Sequence, residues 1–218
     1  MKLNTFFIRL CHLTTAVCAG VVAGGEQSNS RLAAKVRADV ADSIQIDETE
    51  RTWRFIVIHH SATDSGSVES IHRDHRSRRD RSGRPWLGIG YHFVIGNGSG
   101  MADGQISPTF RWKQQLHGAH SGSLPHNSQG IGICLIGNFE NSKPTPAQHA
   151  AVTELIRQIV RHYNIEMGNI IGHSNVRATA CPGRYFPLRD VIQDSTRSVT
   201  VTDPIYSFTV HSGQLSRY

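Results

Sequence analysis

Residues 53–60 read WRFIVIHH, and this run decides the fold class. It is a continuous apolar stretch of strand length, rich in β-branched residues, which favours a buried strand. Three further runs have the same character: GYHFVI at 90–95, IGICLI at 131–136 and NIIG at 169–172. The sequence therefore predicts at least four strands, with two histidines at the end of the first.

Helices are predicted between these strands. The segment 145–148 (TPAQ) supplies an N-cap threonine, a proline at the first helical position and a glutamine three residues after the cap, which is the pattern of a capping box. Apolar residues then recur with a period near 3.6. They are Val152, Leu155, Ile156, Ile159, Val160 and Tyr163. A second helix is expected over residues 67–79. Strands mixed with helices indicate an α/β fold, here a single domain with a central mixed β-sheet flanked by helices and a cleft at the strand ends.

Composition limits the class of protein. The chain has 218 residues, of which 38% are apolar and 7% aromatic, and a formal net charge of +6. These values suit one domain with tails and exclude collagen, a coiled coil, a disulfide-dense mini-protein and a polytopic membrane protein. No transmembrane span is expected, because no apolar stretch is long enough. The 13 histidines make metal or proton chemistry the function to look for.

The two ends of the chain differ from its central block. Residues 1–23 combine positive charge, a mildly apolar stretch and small residues, which indicates a signal peptide and a periplasmic or secreted protein. A cytoplasmic protein is the alternative if this segment is not a signal. Residues 24–51 are interpreted as a linker or accessory helix, residues 52–193 as the folded domain, and residues 194–218 as a C-terminal tail.

Two predicted strands end in histidine, at His59 and His173, and Cys181 lies eight residues after the second. Residues that are distant in sequence can converge on one metal ion when they lie at strand ends. Two imidazoles and a thiolate suit zinc, and three protein ligands leave a fourth position open, as in catalytic zinc sites. The spacing alone is a weak signal, because 13 histidines offer many accidental triples.

Two neighbouring residues have other interpretations. His60 alternates with His59 along the strand, so it should face the opposite side and act as a supporting or structural residue. Cys134 is interpreted as a small buried apolar residue. A disulfide between Cys134 and Cys181 is the competing arrangement in an oxidising compartment, because it would remove the thiolate ligand.

Four motifs in order resemble the zinc-dependent N-acetylmuramoyl-L-alanine amidase family, which includes phage lysozyme-type amidases and peptidoglycan recognition proteins. They are FIVIHHSAT (55–63), GIGYHFVIGNG (88–98), GIGICLIGNF (130–139) and GHSNVRATACPG (172–183). The resemblance spans about residues 53–187. It implies one bound Zn²⁺ and cleavage of the amide between N-acetylmuramic acid and L-alanine in peptidoglycan. Peptidoglycan or muropeptides would then be the partner of a monomeric amidase domain.

The positions of the motifs imply residue roles. The metal ligands would be His59, His173 and Cys181. Tyr91, in GYHF, would be a catalytic residue. Thr179, two residues before the cysteine, would assist the oxyanion through a hydrogen bond, since it lacks the charge of the lysine that phage enzymes carry there. The candidate substrate-binding residues are His120, His92 and Arg84.

A basic run occupies residues 72–84, with six arginines against two aspartates. Such a run can bind nucleic acid, but it has no interleaved aromatics and no nucleic-acid-binding signature, so no specific nucleic acid is expected. It would instead steer anionic wall material in a salt-sensitive manner, or form a solvated helix face.

The predicted function is therefore that of a zinc-dependent N-acetylmuramoyl-L-alanine amidase. One alternative is a peptidoglycan-binding recognition protein without catalysis, although the resemblance implies that such relatives typically lose the cysteine ligand that this chain keeps. The other alternative is a zinc hydrolase that acts on a different amide of the stem peptide.

Overall fold

A five-stranded sheet organises the protein, in a computed structural model that describes residue 31 and residues 33–46, 48–80 and 82–197. The strands are β1 (Phe55–His60), β2 (Phe93–Ile95), β3 (Ile106–Pro108), β4 (Gly130–Leu135) and β5 (Ile170–Gly172). Their order is β3-β2-β4-β1-β5. β3 pairs antiparallel with β2, and the other pairs are parallel. The predicted mixed sheet is confirmed.

Helices cover both faces of this sheet. They are α1 (residues 33–43), α2 (Val68–Ser77), α3 (Phe110–Lys113), α4 (Leu124–Ser128), α5 (Pro146–Tyr163) and α6 (Leu188–Thr196). Short 3₁₀ turns precede and follow β5, at Met167–Asn169 and His173–Asn175. No helix among the described residues is long and apolar enough to cross a membrane.

The main core lies between one face of the sheet and α5. The predicted capping box is present, with Thr145 as the N-cap and reciprocal hydrogen bonds to Gln148. Four apolar side chains of α5 are fully buried: Val152, Leu155, Ile156 and Ile159. Burying a side chain of this size contributes about 1.5–3 kcal/mol, so this interface is a large part of the stability.

The packed unit extends beyond residues 52–193. Val40 of α1 is fully buried in the main core, and Ile44 and Ile46 pack against it. At the other end, α6 continues to Thr196 and buries Ser195. The predicted signal segment 1–23 and the tail beyond residue 197 lie outside the described residues.

Tyr91 and Phe93 lie on opposite faces of the sheet, although they are two residues apart. The strand begins only at Phe93, so the two-residue alternation does not extend back to Tyr91. Phe93 lies in the main core, whereas Tyr91 packs on the opposite side of the sheet with Ile89 and Val94. Tyr91 is thereby on the same side as α2, and this second face carries the candidate site.

Candidate metal centre and cleft

Three side chains converge at the carboxyl ends of two adjacent strands. His59 is near the end of β1, His173 follows β5 directly, and Cys181 lies in the loop beyond. Their candidate ligand atoms all lie within 4.8 Å of one another. The Cys181 Sγ is 3.7 Å from the His59 Nδ1. The parallel pairing of β1 with β5 explains the convergence, because it places both strand ends at the same edge of the sheet.

The outer nitrogens of the two imidazoles are already occupied by protein groups. The His59 Nε2 is 3.0 Å from the His120 Nδ1, and the His173 Nε2 is 3.2 Å from the Ser121 carbonyl oxygen. A carbonyl only accepts, so the His173 Nε2 must carry the proton. The remaining Nδ1 of His173 is then an unprotonated lone pair, and the Nδ1 of His59 faces Cys181.

Burial keeps the site uncharged in the absence of an ion. It lowers the pKa of His59 well below the ordinary value, and the neighbouring His120 and His173 lower it further. Burial also raises the pKa of the Cys181 thiol to about 11, while the backbone N–H of His60 acts in the opposite direction. That N–H lies 3.4 Å from the Cys181 Sγ, so it can stabilise a thiolate.

This donor set fits zinc. Two neutral imidazole nitrogens and one sulfur are borderline and soft ligands, which suit Zn²⁺ rather than Mg²⁺ or Ca²⁺. A bound cation would favour the thiolate and overcome the raised pKa of Cys181. Cys134 and Cys181 are both free thiols, so the competing disulfide is not the arrangement in this structure.

Tyr91 lies beside the three candidate ligands. Its ring is 5.0 Å from the ring of His59 and 5.5 Å from that of His75. Burial and the nearby Cys134 and Cys181 thiols raise its pKa well above the ordinary value. The phenol therefore stays protonated and remains a hydrogen-bond donor.

Thr179 lies on the loop that leads to Cys181. Its side chain is exposed, and its Oγ1 accepts the backbone N–H of Cys181 at 3.3 Å. The hydroxyl proton of Thr179 is therefore still available for donation to another group.

An open cleft of about 340 Å³ adjoins Tyr91. It is lined by Ser61, Thr63, Ser65, Gly66, Ser70, Ile71, Asp74, His75, Arg78 and Tyr91. The walls thus come from the loop after β1 and from α2, and they combine hydroxyl, charged and apolar groups. A cleft of this kind suits a polar ligand with a small apolar part.

His75 also lines the cleft, and it lies within the helix expected over residues 67–79. Its Nδ1 accepts the backbone N–H of Gly90 at 3.0 Å, which leaves the proton on Nε2. Burial, with the charge of Arg78, lowers the pKa of His75 to about 4. His75 is therefore a neutral donor in the cleft. Nothing in the sequence distinguishes His75 from a core residue of that helix, so its role in the cleft was not predicted.

The structure does not support direct substrate contact by His92 and His120. Both are buried and neither lines the cleft. The ring nitrogens of His120 approach His59 and the Gly130 carbonyl oxygen. Those of His92 approach the Gly132 N–H and the Leu116 carbonyl oxygen. With both nitrogens used, neither side chain has a polar atom free for a ligand.

Among the described residues, the arginines of the basic run are exposed, on α2 and in the turn that follows it. Arg84, the third candidate for substrate binding, is exposed, pairs with Asp80 and does not line the cleft. Arg78 pairs with Asp74, and both of these residues line the cleft. Exposed ion pairs contribute little to stability, so the run adds positive charge beside the cleft rather than rigidity.

Comparisons with known proteins agree with this geometry. The family model described as N-acetylmuramoyl-L-alanine amidase matches residues 49–184. Peptidoglycan-recognition protein SD of Drosophila melanogaster is 32% identical over 142 residues, which cover 63% of this chain and 72% of that protein.

Solved structures show the same relationship. The N-acetylmuramoyl-L-alanine amidase LysC from Clostridium intestinale aligns with a TM-score of 0.54 and 30% identity, covering 67% of this chain and 94% of LysC. Apis mellifera PGRP-SA aligns with a TM-score of 0.51 and 25% identity, covering 70% and 87%. The family match spans more than half of the sequence and includes all three candidate ligands. The chain therefore belongs to the N-acetylmuramoyl-L-alanine amidase family.

Proposed function

We propose that the protein is a zinc-dependent hydrolase that cleaves the amide between N-acetylmuramic acid and L-alanine in peptidoglycan. The observation that carries the proposal is the complete donor set of His59, His173 and Cys181, with Tyr91 beside it at the end of an open cleft. A binding protein needs only the cleft. A hydrolase also needs the metal ligands and a nearby donor, and this chain has both.

The three ligands would hold one Zn²⁺, which supplies a Lewis acid that polarises the scissile carbonyl and activates water. The Tyr91 hydroxyl, kept protonated by burial, would donate a hydrogen bond to the oxygen on which negative charge develops. Thr179 would donate a second hydrogen bond from its hydroxyl, without adding a positive charge.

The cleft residues would orient the substrate. The Nε2–H of His75 and one hydroxyl of the hydrogen-bonded pair Ser61 and Thr63 would donate to the carbonyl groups of a stem peptide. Tyr91 lies beside the candidate ligands and keeps its proton, so it is our candidate for relaying a proton to the departing alanine amine. This assignment makes Tyr91 both a donor in the transition state and a proton carrier.

The second candidate function is peptidoglycan recognition without hydrolysis. It is favoured by the names of the curated relatives, which are peptidoglycan-recognition proteins. Both functions place the protein at the cell wall, so we propose export through residues 1–23 and action as a monomer on peptidoglycan or muropeptides. A specific nucleic acid partner is not part of either proposal.

Product analysis separates these functions. The full chain is incubated with purified peptidoglycan, and new amino and reducing termini are measured. The proposal predicts new L-alanine amino termini without new reducing sugars. His173→Ala should abolish the release. His162→Ala, which changes an exposed histidine paired with Glu50 on the far side of the core, should not affect it. New termini at another residue would indicate a different stem-peptide amide, and binding without release would indicate a recognition protein.

A further inference from the structure

Two adjacent residues contact both imidazoles of the candidate metal centre. The side chain of His120 meets the His59 Nε2 at 3.0 Å, and the main-chain oxygen of Ser121 meets the His173 Nε2 at 3.2 Å. Ser121 is fully buried and His120 is 8% exposed. The orientation of both ligands therefore depends on the placement of a single dipeptide.

The direction of each hydrogen bond fixes the tautomers of His59 and His173. The His120 Nε2 lies 3.3 Å from the Gly130 carbonyl oxygen, which can only accept, so this nitrogen carries the proton. The His120 Nδ1 is then an acceptor, and His59 must donate to it from Nε2. The Ser121 carbonyl imposes the same choice on His173. Both ligands consequently present an Nδ1 lone pair to the metal.

Asn127 holds the dipeptide in place. Its Oδ1 accepts the backbone N–H groups of His120 at 2.9 Å and of Ser121 at 3.0 Å. The same oxygen lies 3.0 Å from the Ser121 hydroxyl. Three donors converge on one amide oxygen, and no side-chain amide other than that of Asn127 contacts the dipeptide among the described residues.

The His120 ring packs closely against two glycines. A Cβ atom placed on Gly132 would come within 2.6 Å of the ring, and one placed on Gly118 within 2.4 Å. The ring therefore rests directly against two glycine backbones. With the ring confined and the backbone held by Asn127, neither part of the dipeptide can adjust independently.

We propose that Asn127 is a positioning residue of the metal centre, which acts by holding His120 and Ser121 so that both histidine ligands are locked in the Nδ1-coordinating tautomer. Asn127 touches no ligand and no substrate. Its effect reaches the metal through one side chain and one carbonyl group. The inference rests on the proposed zinc site but not on the proposed hydrolysis.

The test is the zinc affinity of the full chain, measured by competition with a chromophoric chelator in the absence of peptidoglycan. Asn127→Leu removes the acceptor while keeping the volume, and it should weaken zinc binding by about 10–100-fold, the range found for lost outer partners of metal ligands. Asn127→Asp keeps an acceptor oxygen for the same three donors and should bind zinc like the parent. The matched control is Asn97→Leu, which deletes another amide that organises a loop but contacts neither the dipeptide nor a ligand.

Nitrogen-15 NMR of the histidine rings in the zinc-free protein supplies a second readout. The parent and Asn127→Asp should show His59 and His173 protonated at Nε2, and Asn127→Leu should show mixed tautomers. Unchanged zinc affinity and unchanged tautomers in folded Asn127→Leu would overturn the proposal and leave Asn127 a structural residue. A parent chain that binds no zinc would instead overturn the zinc site itself, so the two failures are distinguishable.

Discussion

Removing the Tyr91 hydroxyl is the sharpest perturbation of the proposed chemistry. Tyr91→Phe deletes one oxygen and leaves the ring, which packs with Ile89 and Val94 and lies 5.0 Å from the ring of His59. The candidate metal ligands and their partners are untouched. The variant should therefore fold and bind zinc like the parent, so that any loss of activity comes from the missing donor.

The magnitude follows from the environment of the hydroxyl. A donor aimed at a developing oxyanion in a partly buried site is worth about 3–4 kcal/mol, which corresponds to about 10²–10³-fold in kcat. The ground-state cost of losing one hydrogen bond is only about 0.5–1.5 kcal/mol. The effect should therefore appear mainly in kcat, with a small change in KM and in the free energy of unfolding. Because burial raises the pKa of Tyr91, the phenol is protonated at all physiological pH values and the loss should be constant from neutral to mildly alkaline pH.

The assay is the initial rate of L-alanine terminus release from soluble muropeptide by zinc-loaded protein. Tyr163→Phe is the matched control, because Tyr163 lies at the end of α5 against Trp112, on the opposite face of the sheet from Tyr91. Its activity should equal that of the parent. A Tyr91→Phe enzyme with kcat within a few-fold of the parent would refute the role given to this hydroxyl.

Three further perturbations test other parts of the account. Cys181→Ser should lose both tight zinc binding and activity while the far-ultraviolet circular dichroism stays that of the parent, because the thiolate is the only sulfur among the three candidate ligands; tight zinc binding by this variant would rule out Cys181 as a ligand. Thr145→Ala removes the acceptor for the Gln148 N–H at 3.0 Å and should lower the free energy of unfolding by about 1 kcal/mol in urea titrations; no change would mean that the capping box is not formed. Burial lowers the pKa of His75 to about 4 in the folded protein. The stability that its neutral ring contributes is therefore fully present above the unfolded pKa near 6.5 and is lost as the pH falls from there towards 4. Between pH 7 and pH 5, the free energy of unfolding should therefore fall by about 2 kcal/mol less in His75→Asn than in the parent. Equal falls for both proteins in urea titrations at the two pH values would contradict the neutral, buried state of His75.

The strands and helices that the sequence predicted are those with a strong local signal. β1 and β4 are continuous apolar runs that are buried along their length, and α5 has both a capping box and a helical period. β3 has no such local signal, because it is a three-residue edge strand that contains a proline. An accessory helix was one of the two interpretations of residues 24–51, but the docking of α1 through Val40 was not predicted. A helix of low apolar content gives no local sign of which single residue enters a distant core.

The candidate site likewise contains residues that the sequence predicted and residues that it did not. The candidate metal ligands stand in motifs at strand ends, so resemblance to a family pointed to them. The groups that support them include a main-chain carbonyl oxygen at Ser121 and an amide at Asn127. Backbone groups have no signature in a sequence, and the polar residues around Asn127 (HNSQ, 126–129) are typical of a turn rather than of a site. His120 was expected in the substrate groove, because its motif does not reveal that both ring nitrogens are already paired.

Activity as a function of bound zinc tests directly whether this protein is a zinc-dependent amidase. Metal-free protein is titrated with Zn²⁺, and L-alanine terminus release from purified peptidoglycan is followed at each step. The account predicts no release without zinc, a linear rise to one zinc per chain and a plateau beyond it, with the rise abolished in Cys181→Ser. Full release from the metal-free protein, or one tightly bound zinc without release, would contradict the assignment of this chain as a zinc-dependent amidase.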